Sequence, residues 1–262
     1  MDVHVDGGIV QVDTSGSGPA LVLIHSLLTD SNAYDLVTPA LARTHTVHRI
    51  SLPGFGTSTP LEGDAITIDD LADRVAATMA ALGCGRETAV LGNGLGAFVV
   101  VALAIRHGDS FGPLIAANGG AAFAEERRGA FGAMSNLVKQ GGMEAVVDVA
   151  VRRIFPESYL AAHPHVIGER RAVIVETDPG AFAAACEALA ALDLRPEIGA
   201  ITNPTLVIGG AEDATTPPEM SAELAAGVPG AVLTVIEGCG HCPQLQAPDA
   251  FVAAVTGFLS AA

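Results

Sequence analysis

The chain has 262 residues, half of them apolar, with 13 Lys and Arg against 29 Asp and Glu, giving a formal charge of −16. That length allows one large domain with an insertion, or two small ones. The acidic balance disfavours nucleic acid or an anionic membrane as partner, because neutralising phosphates needs a basic surface.

No window of about twenty residues is apolar enough to span a bilayer. The opening MDVHVDGGIVQV has acidic residues early and no basic run before an apolar core, so no secretory signal is expected and the chain reads as soluble and cytoplasmic. ALVLIHS (20–26) then reads as a buried strand, followed by the helical NAYDLVTPALAR. TVHRISL (46–52) is the next strand, and PGFGTS after it a Gly/Pro loop. Thr67-Ile68-Asp69-Asp70 has the spacing of a capping box, which opens a helix running to Gly83. ETAVLG is a strand, LGAFVVVALAIRHG a helix and GPLIAANG (112–119) a strand again. Such alternation predicts an α/β fold, a mostly parallel twisted sheet covered by helices on both faces.

From about Ala121 to Ile201 only helical patterns occur, among them GMEAVVDVAVRRIFP (142–156) and GAFAAACEALAAL (180–192). The sheet pattern resumes with PTLVIGG (204–210), a helix near PPEMSAELAAGV, the strand AVLTVIEG (231–238) and a closing helix from Pro248. A helical block between two strands of one sheet is an insertion. The expected organisation is a core of residues 1–120 and 201–262, with a helical lid or cap over 121–200.

Three places at the carboxyl ends of predicted strands carry chemistry, which is where open α/β sheets hold their sites. In VLGNGLGAFV the glycines at 92 and 96 suit a sharp strand-to-helix turn around Gly94. Asp213 follows the strand ending at Ile208, and His241 follows the one ending near Glu237. A carboxylate and a histidine on adjacent strand ends can pair, the carboxylate fixing the imidazole tautomer. Taken singly each has a plainer reading. Asn93-Gly94 is a common turn dipeptide and the segment reads equally as a hairpin; a lone Asp is usually a cap, and a lone His near Gly usually lies on the surface. Cys239-Gly240-His241-Cys242 has a zinc-like look but no second ligand pair at suitable spacing, since neither Cys84 nor Cys186 supplies one. Buried free thiols are expected, with no metal and no cofactor.

The order elbow, acid, histidine resembles the α/β-hydrolase superfamily, and the resemblance runs through essentially the whole chain. LVLIHSLLTD looks like the family's oxyanion loop, GGAEDATTPP like its acid-bearing loop and EGCGHCPQLQAPDAF like the segment carrying its histidine. HSLLTD, the helical lid and the C-terminal region are most similar to the 3-oxoadipate enol-lactonase group and its relatives among the carbon–carbon bond hydrolases. The resemblance implies Asp213 as triad acid, His241 as general base, and the amides of Leu27 and Leu95 as oxyanion hole. It also places the nucleophile at Gly94, where no hydroxyl exists, so an acyl-enzyme cannot form there.

Three readings follow. The expected one is an enzyme without a serine nucleophile. In it the Asp213–His241 pair acts as general base on a water beside Gly94, or on the substrate itself, and the substrate is a small activated carbonyl compound of the enol-lactone, ester or β-diketone type. The others are a serine hydrolase or lactonase inactivated by substitution at Gly94, and a non-catalytic binding protein that kept the pocket. His25, Ser26, Asn93 and Arg152 are candidate substrate contacts. Ser26 is given a donor role or turn chemistry in preference to that of a substitute nucleophile. Arg152 and Arg153 are placed to meet a substrate carboxylate, though a solvated helix end is the plainer account. Cys242, directly after His241, should point away from the imidazole. The expected partner is a small-molecule substrate, with a homodimer left open.

Overall fold

The computed structural model describes residues 1–63 and 65–262. Eight strands form one sheet in the order β1-β2-β4-β3-β5-β6-β7-β8. They are β1 (Asp2–Val5), β2 (Gly8–Gly16), β3 (Ala20–Ile24), β4 (Thr46–Ile50), β5 (Ala89–Asn93), β6 (Leu114–Ala117), β7 (Thr205–Gly210) and β8 (Val232–Ile236). β1–β2 and β2–β4 pair antiparallel, and β3 through β8 run parallel to one another. The mostly parallel sheet is thus as the alternation predicted. The antiparallel β1–β2 pair was not drawn from the sequence, although Asp6-Gly7 between alternating residues is a hairpin signal.

Helices α1 (Thr38–Leu41), α2 (Ile68–Ala81), α3 (Leu95–His107), α9 (Pro218–Gly227), α10 (Pro243–Gln246) and α11 (Pro248–Leu259) accompany the sheet. Five more, α4 (Glu125–Gly141), α5 (Val147–Ile154), α6 (Glu157–Ala162), α7 (His165–Val175) and α8 (Pro179–Ala191), lie between β6 and β7, which are themselves adjacent strands. Among the described residues no helix is long and apolar enough to cross a membrane.

Residues β3, β5, β6 and β7 contribute are nearly all buried on both sides of the sheet, as expected of strands covered by helices on each face. Val22, Ile24 and Val90 pack with α2 and α3 residues such as Val75 and Phe98. Leu21, Leu23, Leu91 and Ile115 pack on the opposite face with Phe251 and Val255 of α11. Alternation along each strand therefore builds two cores from one sheet.

The α2 capping box forms as read. Asp70 N–H donates to Thr67 Oγ1 at 3.1 Å and Thr67 N–H to Asp70 Oδ2 at 2.8 Å. The helix expected over NAYDLVTPALAR is instead a 3-10 turn at Ser31–Tyr34 and the single turn of α1. Pro39 explains the break, because a continuous helix would lose the bond from residue 39 to Asp35 and clash with that carbonyl. Chain order reverses across the sheet at β3, which lies between β4 and β5. The carboxyl ends of β3 and β5 therefore open a crevice, and the site lies there.

Candidate active site

The turn between β5 and α3 is a strand-to-helix elbow, so the hairpin reading of that segment does not hold. Gly94, at its apex, has φ 57° and ψ −118°, a region that side-chain-bearing residues occupy at a cost of about 1–3 kcal/mol. Gly96 allows the close approach behind it: a Cβ there would stand 2.3 Å from the Ile24 carbonyl oxygen. Gly96 N–H donates to His25 O at 3.1 Å, which ties the elbow to the loop after β3.

Asp213 and His241 come from the loops after β7 and β8, and both are buried. His241 Nδ1 lies 2.8 Å from Asp213 Oδ2. The carboxylate is held from every side. Its Oδ1 accepts from the Thr215 and Thr216 amides at 2.8 and 3.0 Å, while Oδ2 accepts from Asn118 Nδ2 at 2.7 Å and stands 2.6 Å from Thr216 Oγ1. Burial by itself would raise the Asp213 carboxyl. The charge of His241 and hydrogen bonds from His241, Thr216 and Asn118 outweigh that and hold it below the usual carboxylate range. An ionised Asp213 keeps the imidazole proton on Nδ1 and leaves Nε2 as an acceptor. Asn118 has φ 49°, the one non-glycine residue in the left-handed region among those described, and its side chain also donates to Gly240 O at 3.1 Å. Neither Asn118 nor Thr216 was singled out in the sequence. The only local signals were an Asn before two glycines at a strand end and a Thr three residues after the acid.

Nε2 of His241 borders a cavity of about 20 Å³, room for one water-sized molecule, shared with Ser26, Leu27, Gly94 and Leu95. Its remaining walls are the apolar Leu28, Phe98, Phe123, Phe131, Met134 and Leu189 and the polar Arg153, Thr215 and Thr216. Leu95 is the first residue of α3, so its amide has no partner within the helix, and the Leu27 amide forms no hydrogen bond among the described residues. A cavity of about 690 Å³ walled by Leu61, Ile66, Ala181 and Ala188 does not reach the imidazole.

The other sequence candidates divide. Ser26 lines the cavity and its Oγ lies 3.4 Å from His241 Nε2. His25 faces the other way. It is fully buried, its Nε2 accepts from Leu52 N–H at 3.0 Å, its Nδ1 lies 2.9 Å from Ser26 O, and its ring packs on Phe55. Burial lowers the His25 pKa, so this imidazole is a neutral brace for the loop. Asn93 is likewise behind the site. Its Nδ2 donates to His241 O at 2.9 Å and Ala117 O at 3.2 Å, and its Oδ1 accepts from Gln244 Nε2 at 3.0 Å. It clamps the histidine loop to the sheet. Cys242 Sγ contacts Asn93 Oδ1 at 3.4 Å, away from the cavity, and burial pushes its thiol far above the ordinary value.

Arg152 does not reach the cavity. It pairs with Glu157 and lines an outer groove of about 450 Å³ together with Arg127 and Arg153. Arg153 belongs to both spaces, as do Phe123, Phe131 and Thr215, so the groove abuts the cavity. Burial is the main cause lowering the Arg153 pKa, and among the described residues Arg153 forms no salt bridge.

The Alpha/beta hydrolase family model matches residues 21–254. The chain belongs to that family. A 3-oxoadipate enol-lactonase of Acinetobacter baylyi is 28% identical over 237 residues, which is 90% of this chain and 87% of the relative. A pimeloyl-[acyl-carrier protein] methyl ester esterase of Aeromonas hydrophila is 28% identical over 261 residues, 95% of this chain and 99% of the relative. The crystal structure of the enol-lactonase from Burkholderia xenovorans LB400 superposes with a TM-score of 0.92 at 30% identity, covering 99% of this chain and all of that one. The likeness to enol-lactonases drawn from HSLLTD therefore extends to the whole fold.

Proposed function

We propose that this hydrolase cleaves a small activated ester or enol-lactone bearing a carboxylate, with His241–Asp213 as general base and no nucleophile at position 94. The observation that carries this reading is the buried 2.8 Å contact between His241 Nδ1 and Asp213 Oδ2, which leaves Nε2 as a base facing the cavity. A site kept only for binding has no need of an imidazole held in one tautomer by a five-fold-coordinated carboxylate.

Within this reading the Leu27 and Leu95 amides receive the negative charge that develops on the carbonyl oxygen, and the positive end of α3 adds to them. General base catalysis contributes about 10²–10⁴ and one oxyanion donor about 10²–10³. Those factors suit an activated leaving group such as an enolate. The enol-lactonase relatives support a lactone. Arg127 and Arg153 support an anionic one, since both line the groove beside the site, where Arg152 is already paired with Glu157 and Glu126 is the one acidic lining residue. Helices α4 to α8 act as a lid. Phe131, Met134 and Leu189 of that block close the cavity down to water size, so a substrate enters only when they move.

Steady-state hydrolysis of a carboxylate-bearing enol-lactone and of its methyl ester tests the proposal. The free acid is expected to be the better substrate. Arg153→Ala should raise KM for the acid at least tenfold while changing the methyl ester little. Equal effects on both substrates would remove Arg153 as a carboxylate contact.

A further inference from the structure

Glycine at 94 removes a side chain from the centre of the site, yet the volume is not left open. A Cβ at Gly94 would stand 2.1 Å from Ser26 Oγ, and 2.8 Å from both Ser26 Cβ and His241 Nε2. The Ser26 hydroxyl therefore occupies the space into which a residue-94 side chain would project. Its 3.4 Å contact with Nε2 is the only hydrogen bond that hydroxyl makes among the described residues. Because Nδ1 holds its proton toward Asp213, Nε2 accepts and the Ser26 hydroxyl donates. The distance is long, as such bonds commonly are before substrate binds. Ser26 is 1% exposed and borders the cavity beside Leu27 and Leu95.

We propose that Ser26 is the nucleophile of this enzyme, completing a Ser26–His241–Asp213 triad whose serine has moved from the β5–α3 turn to the loop after β3. The inference rests on the reading of His241 as general base and names the oxygen that this base deprotonates. Ser26 Oγ attacks the carbonyl carbon while its proton passes to His241 Nε2, and the carbonyl π electrons move to the oxygen. When that tetrahedral species collapses, the bond to the leaving alcohol or enol breaks and His241 returns the proton to the departing oxygen. A water deprotonated by the same Nε2 then attacks the Ser26 ester, releasing the acid and restoring the hydroxyl.

The two amides keep their place through the exchange. Leu27 follows the displaced serine as Leu95 follows Gly94, so the nucleophile still sits one residue before an oxyanion donor, and the other donor still comes from across the crevice. Ser26 is also not among the residues with positive φ. The strain that an elbow serine must bear is thus absent from the position that carries the hydroxyl.

The test uses the full chain with an alkyl fluorophosphonate and with p-nitrophenyl acetate. The expected results are one phosphonate adduct that peptide mapping places on Ser26, and a burst of about one equivalent of nitrophenolate before the steady state. Ser26→Ala should lose the adduct and the burst, and at least 10³-fold in kcat. Ser26→Ala within tenfold of the parent, with His241→Ala inactive, would overturn the proposal while leaving general base catalysis by His241 on a water intact. A parent chain with neither adduct nor turnover would remove both. An adduct on any other residue would overturn the proposal too, and because it is mapped on the unsubstituted chain the answer does not depend on any variant folding.

Discussion

Gly94→Ser restores a hydroxyl at the elbow, and the structure assigns its cost to two separable sources. The first is backbone: at φ 57° and ψ −118° a serine is strained by about 1–3 kcal/mol where glycine is not. The second is steric. The new Cβ would fall 2.1 Å from Ser26 Oγ, so that hydroxyl must rotate away and give up its contact with His241, a net loss of roughly 0.5–1.5 kcal/mol. Together these predict a destabilisation of about 1.5–4.5 kcal/mol. In a chain of this size each kcal/mol moves Tm by roughly 2–4 °C, so a fall of roughly 3–18 °C is expected in a thermal melt. A double-mutant cycle separates the sources. In a Ser26→Gly background the clash with Ser26 is gone while the backbone strain and the 2.8 Å approach to His241 Nε2 remain, and Gly94→Ser should cost about 1 kcal/mol less than it does in the parent. The assay is urea unfolding of the four proteins. Equal costs in both backgrounds would refute the claim that Ser26 fills the residue-94 space, and no cost in either would refute the elbow strain as well.

The Asp213 carboxyl is held below its ordinary range, so its contribution to stability is complete above about pH 5, beyond the unfolded-state value near 3.9, and is lost as pH falls through the folded-state value. The stability gap between the parent and Asp213→Asn should therefore narrow as pH falls below about 5, by at most about 1.4 kcal/mol per pH unit; a constant gap in urea unfolding on acidification would show the carboxyl is not depressed. Cys242→Ala should leave kcat/KM within about threefold, because the thiol is buried against Asn93 with its proton held on, whereas loss of activity on treating the parent with a thiol reagent, abolished by this substitution, would contradict that placement.

Most of the frame was legible because it is written locally. Continuous apolar runs marked β3, β5, β6 and β7, and the Thr67–Asp70 spacing marked the start of α2, since both depend on neighbours a few residues away. The glycines around position 94 likewise announced the elbow, and the strand ends announced Asp213 and His241. The roles of His25, Asn93 and Arg152 were not legible in the same way. Each lies beside a site segment in the chain, but a side chain's direction depends on what packs against it, and here Leu52, the His241 loop and Glu157 take up the three.

The amino-acid sequence by itself determined a doubly covered parallel sheet, an elbow without a hydroxyl, and an acid–histidine order that needs a nucleophile from somewhere. Only the tertiary structure decided what stands beside Gly94. Ser26 and His241 are 215 positions apart, and nothing in either local segment encodes their contact. It arises because β3 and β5 are neighbours at the point where the sheet reverses its order, and because a glycine at 94 leaves there the one volume that a serine from the adjacent strand end can enter.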